Sequence, residues 1–349
     1  MAQQKSAEAL LLEQINALGH EADEEALAAK LPTPNMTKRW NHMREAVALV
    51  GQAKSTVSKA IQRIRQGDGV DILSMRSAVK GMVSSIVEDE FSLLSLATLT
   101  RKHDRIFSHS INVAVYLMAL YKRQGKSEQE IQDIGAIGML HDIGFAKLPE
   151  EIARLGQPSS KRDALIRRSH VELSVTIMQR HGQLKPELAD VVAQHHEHLD
   201  GSGYPKGIKA NQLSWEGRAS AIVDAFDHYN ATHQKETLRD PKAGLRHLLA
   251  LSEKKYDRGI VEEFIRCIGV YPVGTVLQLA SGAVAVVALT NRDALLFPVI
   301  RVVSDRGQAP RASEQLINLA EFQDHKNYKV VKELPATALA NTPESYLNL

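Results

Sequence analysis

Residues 195–208 read HHEHLDGSGYPKGI, and this stretch decides how the rest of the chain is interpreted. It opens on the adjacent histidines His195 and His196, and Gly201 and Gly203 follow soon after. Neighbouring side chains on an α-helix diverge by about 100°. Two adjacent residues can therefore bind at different parts of one site only near the end of a helix or at a distortion of it, and glycine permits such a distortion.

A second pair of adjacent polar residues shows the same arrangement earlier in the chain. His141 and Asp142 end an apolar helical pattern, and Gly144 follows two positions later. Upstream, His109 falls on the face of a helical pattern that also carries apolar core positions. We therefore expect these side chains to point inward.

Two further residues complete a set of metal-ligand type. Asp224 lies in the apolar stretch AIVDAF, where a buried carboxylate needs a partner, and His170 lies in RRSHVEL. Singly, each has an ordinary interpretation: His109 as a core or surface histidine, His170 as a solvated helix residue, Asp224 as a partner of Arg218. Together they form a set of five histidines and two aspartates: His109, His141, Asp142, His170, His195, His196 and Asp224.

The chemistry of this set favours two metal ions. Imidazole and carboxylate ligands suit iron, manganese or zinc better than calcium or magnesium alone. Five histidines and two aspartates exceed what one ion usually takes. Two ions about 3.5–4 Å apart that share a carboxylate would use all seven residues.

Apolar periodicity divides the chain into three parts. Residues 36–66 predict one long basic helix, ended by Gly67-Asp68-Gly69, and apolar positions recur every three or four residues through 71–270. After Gly269 the period changes to two, with a hairpin turn at Ser281-Gly282. We expect a mainly α protein with a helical N-terminal region over 1–90 for regulation or dimerisation, an all-α catalytic domain over 91–270, and a small β appendage and tail over 271–349.

Composition limits the classes of partner. The 349 residues carry a net charge of +2, and 44% of them are hydrophobic, so the charge alone implies neither a nucleic-acid polymer nor a membrane as partner. Cys267 is the single cysteine, which fits a reducing compartment. No apolar run reaches the roughly 18–20 residues that span a bilayer. The sequence thus predicts a cytoplasmic protein.

The motifs resemble the HD-GYP subfamily of HD-domain phosphohydrolases. The matching pieces are HSINVAVYL (109–117), GMLHDIG (138–144), SHVELS (169–174), HHEHLDGSGYPKGI (195–208) and RASAIVDAFD (218–227). The resemblance implies an HD-type all-α fold and hydrolysis of cyclic di-GMP, or a related cyclic dinucleotide, to the linear dinucleotide and on to GMP. It also implies that the seven residues are metal ligands, with His141 and Asp142 as the catalytic pair and Asp142 as the bridge. Iron or manganese is the expected metal.

The same resemblance suggests substrate contacts. The loop with Gly203, Tyr204 and Pro205 borders the site in the family and is implicated in contacts with signalling partners. A structural role for Tyr204 is an equal alternative. The remaining candidates for substrate binding are Lys147, Arg168 and His233. Glu197 and Asp227 are expected to orient ligand histidines, with surface salt bridges as the alternative.

Three positions depart from the family pattern. Phe145 stands where a lysine is usual, His233 stands in place of an arginine, and Arg105 replaces an acidic residue that would support a third metal. Arg105 therefore favours two ions. The other two departures motivate a first alternative, a cyclic-dinucleotide receptor with little turnover. A second alternative is an HD-type phosphatase for another nucleotide, and a homodimer is a further expectation.

Overall fold

This computed structural model describes residues 36–99, 105–153, 159–180, 186–232, 242–291, 294–304, 316–341 and 343–347. The predictions for residues 1–35 and for His233 lie outside the described residues. Within the described residues, no helix combines the length and the apolar character that crossing a bilayer requires.

The described residues up to 268 are mainly helical, and those beyond it form a β-sheet. The α-helices are α1 Met36–Gln66, α2 Ile72–Leu99, α3 Arg105–Arg123, α4 Glu128–Gly138, α5 Glu150–Ala153, α6 Lys161–Arg168, α7 His170–Arg180, α8 Pro186–Gln194, α9 Trp215–Thr232, α10 Ala243–Ala250 and α11 Arg258–Ile268. Short 3-10 segments lie between them at Ile143–Lys147 and Ala210–Gln212. The prediction of a mainly helical protein with an HD-type core is confirmed.

Helices α1 and α2 form a hairpin whose contact follows the sequence period. Buried side chains recur at spacings of three, four and seven along α1, as the stripe Met43, Ala46, Ala53, Val57, Ala60 and Ile64. They pack against α2, where Met75, Val79 and Met82 are buried at the same spacing. Gly67 ends α1 with a φ of 95°, a backbone conformation that glycine adopts without strain.

Helix α2 is interrupted at Asp89, whose φ of −149° and ψ of 92° are not helical. The interruption leaves carbonyl groups without helical partners, and the Lys122 ammonium of α3 donates to the Ile86 oxygen at 2.6 Å and the Val87 oxygen at 3.1 Å. Lys122 also lies 3.4 Å from the buried carboxylate of Glu90. The predicted boundary at residue 90 coincides with this kink, but one apolar core runs across it, and the division into domains stays a prediction.

The C-terminal sheet is antiparallel throughout, with strand order β4-β3-β2-β1-β5. Its strands are β1 Val276–Leu279, β2 Val284–Leu289, β3 Val299–Ser304, β4 Leu316–Asn318 and β5 Val330–Leu334. The predicted turn at Ser281-Gly282 joins β1 to β2, with Gly282 at a φ of 86°. The prediction of a small β appendage is confirmed.

The sheet is joined to the helices by apolar and charged contacts. Leu99 of α2 belongs to the apolar cluster of the sheet. Lys242, immediately before α10, is 1% exposed, forms an ion pair with Glu333 of β5, and lies 4.1 Å from the centre of the Tyr271 ring. Burial lowers the pKa of the Lys242 ammonium, and the Glu333 carboxylate opposes that shift.

Candidate metal centre

The first pair of site residues lies in a tight turn beyond the end of a helix. Helix α4 ends at Gly138, residues 139–142 form turns, and a 3-10 helix follows at Ile143–Lys147. His141 and Asp142 therefore lie in turns and not in an α-helix, where adjacent side chains diverge by about 100°. Both side chains can face one site, as the sequence predicts. Gly144 allows α7 to approach this turn closely, because a Cβ there would overlap the carbonyl oxygen of His170 in α7.

The other site residues come from three further helices and a second turn. His109 lies on α3, His170 begins α7, and Asp224 lies on α9. His195 and His196 follow Gln194, the last residue of α8, in a second turn. The structure brings all seven predicted residues together, although the chain separates them by up to 115 positions.

Two groups of side chains could each hold a metal ion. The first consists of Asp142, His170, His195 and His196, and the second of His109, His141 and Asp142. Asp142 belongs to both groups. Its Oδ1 lies 3.1 Å from His170 Nε2 and 3.4 Å from His195 Nε2, whereas its Oδ2 lies 3.6 Å from the Nε2 atoms of both His109 and His141. One carboxylate thus presents one oxygen to each group, which is the geometry of a bridge.

Asp224 makes a second connection between the groups. Its Oδ1 lies 3.0 Å from His109 Nε2 and 3.7 Å from His141 Nε2. Its Oδ2 lies 3.3 Å from His196 Nδ1, on the other side. The predicted need of this buried carboxylate for cationic or donor partners agrees with its surroundings.

Backbone carbonyl groups fix the tautomers of three histidines. Each of these rings places its Nδ1 at hydrogen-bonding distance from a carbonyl oxygen three residues earlier. The pairs are His141 with Gly138 at 2.7 Å, His170 with Arg167 at 2.6 Å, and His195 with Val192 at 2.7 Å. Because a carbonyl oxygen only accepts, Nδ1 must carry the proton, and in the neutral ring the Nε2 lone pair faces the centre of the site.

These residues fit a metal ion. The Nε2 atoms of His170 and His195 lie 3.3 Å apart, so that two lone pairs face each other in the neutral rings. His141 Nε2 and Asp142 Oδ1 are buried and make no hydrogen bond within the described part of the chain. A buried polar atom without a partner is costly, and a cation in each of the two groups would satisfy these four atoms.

The charge states also suit a metal. Burial raises the pKa of the Asp142 and Asp224 carboxyls, but the surrounding histidines outweigh it and hold both well below the usual value. Burial lowers the pKa of His195 and His196. For His109, burial lowers the pKa, yet hydrogen bonds to Asp224 and Asp227 outweigh it and raise the pKa well above the usual value. The site therefore combines ionised carboxylates and neutral imidazoles with a position, next to His109 Nε2, that favours positive charge.

Asp227 orients His109 from behind. Its Oδ2 accepts a hydrogen bond from His109 Nδ1 at 2.8 Å, and its Oδ1 accepts one from the Asn112 amide at 2.7 Å. The carboxylate thereby fixes the tautomer and the orientation of the ring, as outer partners of metal-binding histidines do. This arrangement supports the predicted role of Asp227, and Asn112 is a partner that the sequence analysis missed.

Asp227→Asn is expected to lower activity or metal affinity by about 10–100-fold, because the amide no longer makes His109 more basic. Metal content after dialysis, measured by elemental analysis, and turnover would be compared with wild type. Asp324→Asn, at an exposed position in the C-terminal part, removes the same charge and should change neither. Equal metal affinity and activity in Asp227→Asn and wild type would contradict the orienting role.

The loop with Gly203 and Tyr204 is pressed against the segment that carries the paired histidines. The Tyr204 amide donates to the His196 carbonyl at 3.0 Å, and a Cβ on Gly203 would lie 2.5 Å from the same oxygen. The Glu197 carboxylate accepts hydrogen bonds from the amides of Lys206 at 2.7 Å and Gly207 at 3.0 Å. One oxygen of Glu197 therefore holds the loop through two backbone amides, and the predicted role of Glu197 in orienting a ligand histidine stays a prediction.

The predicted substrate contacts occupy different parts of the rim. Tyr204 lies against His196 with ring centres 4.7 Å apart, and the Arg168 guanidinium lies 4.8 Å from the Tyr204 ring centre. Pro205 is half-buried beside Tyr204, and Lys147 is exposed at the end of the 3-10 helix. Burial raises the pKa of the Tyr204 phenol, which therefore stays neutral and keeps its proton for donation.

A helical fold that gathers histidines and aspartates into two groups with a shared carboxylate defines a class of metal-dependent hydrolase domains. The chain matches the family model described as HD domain over residues 82–260, and it belongs to the HD domain family.

Known proteins that are similar to the chain include the following two curated relatives and one solved structure. "Cyclic di-GMP phosphodiesterase PA4108" of Pseudomonas aeruginosa is 27% identical over 292 residues, which cover 82% of this chain and 69% of the relative. "3'3'-cGAMP-specific phosphodiesterase 2" of Vibrio cholerae is 33% identical over 135 residues, which cover 38% of this chain and 25% of that protein. "Bd1817, a HDG"Y"P protein from Bdellovibrio bacteriovorus" has a TM-score of 0.54 at 16% identity over 70% of this chain and 76% of the other, which shows the fold alone. The resemblance to HD-GYP proteins is confirmed.

Proposed function

We propose that this protein is a metal-dependent phosphodiesterase that hydrolyses cyclic di-GMP, or a related cyclic dinucleotide, to the linear dinucleotide and on to GMP. The observation that carries the proposal is the position of Asp142, with one carboxylate oxygen directed at each of two groups of histidines. The names of the relatives, which specify cyclic di-GMP or 3'3'-cGAMP, support the substrate class.

The seven residues of the cluster would hold two divalent metal ions, with iron or manganese favoured by the mixture of imidazole and carboxylate ligands. A pair of such ions would supply activation of water near neutral pH and neutralise charge on the phosphoryl oxygens. His141 and Asp142 would lie nearest the reacting phosphate. The chain itself contributes fixed tautomers, because carbonyl groups hold the Nδ1 protons of His141, His170 and His195.

The rim would contact the rest of the substrate. The neutral Tyr204 hydroxyl is able to donate a hydrogen bond to a phosphate or ribose oxygen, and the close packing of Gly203 fixes where Tyr204 stands. Pro205, Lys147, Arg168 and His233 remain proposed substrate contacts.

The proposal also assigns roles to the other parts of the chain and a location to the protein. The helical region over 1–90 would regulate or dimerise the protein, and the Tyr204 loop would receive a signalling partner. The catalytic domain over 91–270 and the β appendage over 271–349 complete the proposed division. A cytoplasmic location agrees with Cys267, whose thiol is buried and unpaired with another cysteine.

The full chain, purified without oxygen and loaded with Mn²⁺ or Fe²⁺, is expected to convert cyclic di-GMP to the linear dinucleotide. Removal of the metal by a chelator should abolish turnover, and re-addition should restore it, because each of the two groups needs its cation. Product would be followed by chromatography, with 3'3'-cGAMP and a panel of other nucleotides in parallel.

Each alternative has its own signature in that assay. Tight binding of a cyclic dinucleotide without turnover in the metal-loaded protein would indicate a receptor. Hydrolysis restricted to other nucleotides would indicate a phosphatase. Either result would overturn the proposed function.

A further inference from the structure

Two columns of stacked side chains rise from neighbouring histidines of the metal centre. In the first column the Phe145 ring stacks on His170 with centres 4.1 Å apart and planes inclined by 10°, and the Arg167 guanidinium lies 4.7 Å from the Phe145 ring centre. In the second, Tyr204 lies 4.7 Å from His196, and Arg168 lies 4.8 Å from Tyr204. We call them the Phe145 column and the Tyr204 column.

The two columns stand side by side. The rings of His170 and His196 at their bases are 5.1 Å apart, and both belong to the same ligand group with Asp142. Arg167 and Arg168 at their tops are consecutive residues in the last turn of α6. The columns therefore place two positive charges on one side of the metal centre, next to the group of His170 and His196.

Each aromatic ring contacts both a ligand histidine and a guanidinium. The Phe145 ring is nearly parallel to His170, whereas the Tyr204 ring is inclined by 34° to His196, and Arg167 and Arg168 lie over the two rings. The rings hold the guanidinium groups in place through cation–π contacts, which reduces the side-chain entropy lost when an arginine binds a ligand.

The balance of charge indicates what the arginines bind. The cluster carries three carboxylates, Asp142, Asp224 and Asp227, against which two divalent ions would leave a small positive excess. A cyclic dinucleotide carries two phosphodiester anions, and only one can react at the metal centre at a time. The other needs a cation at the rim, and a guanidinium matches a phosphate with paired N–H donors.

We propose that Arg167 and Arg168, supported by the Phe145 and Tyr204 columns, bind the phosphodiester of the substrate that is not being cleaved. This inference rests on the proposed function and deepens it: the protein recognises its cyclic dinucleotide by a second phosphate. Phe145 carries no charge itself, and it contributes by holding the guanidinium of Arg167 in position through the contact with its ring.

The test compares KM and kcat for cyclic di-GMP in the metal-loaded full chain. Arg167→Gln and Arg168→Gln are each expected to raise KM about tenfold or more, since a charge-assisted hydrogen bond is lost, with kcat within about threefold of wild type. Arg167→Lys should recover part of the loss. Arg162→Gln removes the same charge from an exposed position of the same helix and should leave KM unchanged.

A double-mutant cycle tests the columns themselves. Phe145→Leu should raise KM in wild type but add little in Arg167→Gln, because the two residues act as one unit, whereas its effect should add fully to that of Arg168→Gln. Elemental analysis checks that every variant keeps the metal content of wild type. A KM for Arg167→Gln and Arg168→Gln equal to that of Arg162→Gln would overturn the proposal while turnover still stands.

If the wild type binds cyclic di-GMP without turning it over, the proposed function fails, and dissociation constants of the same variants decide the inference. Weaker binding in the two arginine variants, but not in Arg162→Gln, would then support it. Absence of binding by wild type would overturn both.

Discussion

Replacing Asp142 with asparagine is expected to reduce turnover by more than about 1,000-fold, or about 4 kcal/mol of transition-state stabilisation. The carboxylate places Oδ1 near His170 and His195 and Oδ2 near His109 and His141. A neutral amide has one acceptor oxygen, so at least one of the two groups loses a ligand. We therefore expect the metal content of purified protein to fall together with activity, while the far-ultraviolet circular dichroism stays helical.

A suitable control removes a buried carboxylate of another kind. Asp133 is 3% exposed and forms a 2.8 Å ion pair with Arg76, outside the cluster. Asp133→Asn should lower the free energy of unfolding and leave metal content and turnover per folded molecule unchanged. Wild-type activity in Asp142→Asn would refute the bridging role of this residue.

Replacing Gly144 with alanine is expected to destabilise the fold and inactivate the site at once. The added Cβ would overlap the His170 carbonyl oxygen and lie 2.7 Å from the Ser174 amide nitrogen, both backbone atoms of α7. Backbone cannot rotate aside as a flexible side chain can, so α7 must shift and take His170 with it. Overpacking of this kind costs about 1–3 kcal/mol or more, which corresponds to a fall in Tm of roughly 1–4 °C or more in a chain of this length.

The matched control is Gly51→Ala in the interior of α1, where an added Cβ meets nothing within 4 Å. There alanine should raise stability by about 0.5–1 kcal/mol, because glycine loses more backbone entropy in a helix. Thermal unfolding and turnover of both variants would be measured together. A Gly144→Ala variant with the Tm and activity of wild type would show that α7 does not approach this turn as closely as the structure indicates.

Most of the fold was predictable because its causes are local in the chain. The stripe of buried residues along α1 and the period of two after Gly269 are visible in the order of apolar residues alone. The ligand set was predictable for a different reason: two adjacent polar pairs at helix ends, together with His109, His170 and Asp224, match the motifs of the HD-GYP subfamily. The kink at Asp89 was not visible, since Lys122, which satisfies the freed carbonyl groups, is remote in sequence.

The rim of the site shows where sequence reasoning stops. From the sequence alone, Phe145 is interpreted as the absence of the positive charge that a lysine would carry at that position. Its contact with Arg167 depends on how α6 approaches the turn after α4, which no pattern of spacing contains. Likewise, Glu197 follows two candidate ligands directly, yet its side chain turns toward the amides of Lys206 and Gly207 because the intervening loop folds back over it.

The buried Lys242 has a consequence for the modularity of the chain. Its ammonium is compensated by Glu333 and Tyr271, both of which lie beyond the last helix. A fragment that ended with the helices would retain the cation and lose its compensation, and an unpaired charge is costly to bury. Lys242 also stands directly before α10, which packs on α9, the helix of Asp224. We therefore expect the contacts of Lys242 with Glu333 and Tyr271 to stabilise the helices next to the metal centre, and a fragment that ends after α11 to unfold more easily than the full chain.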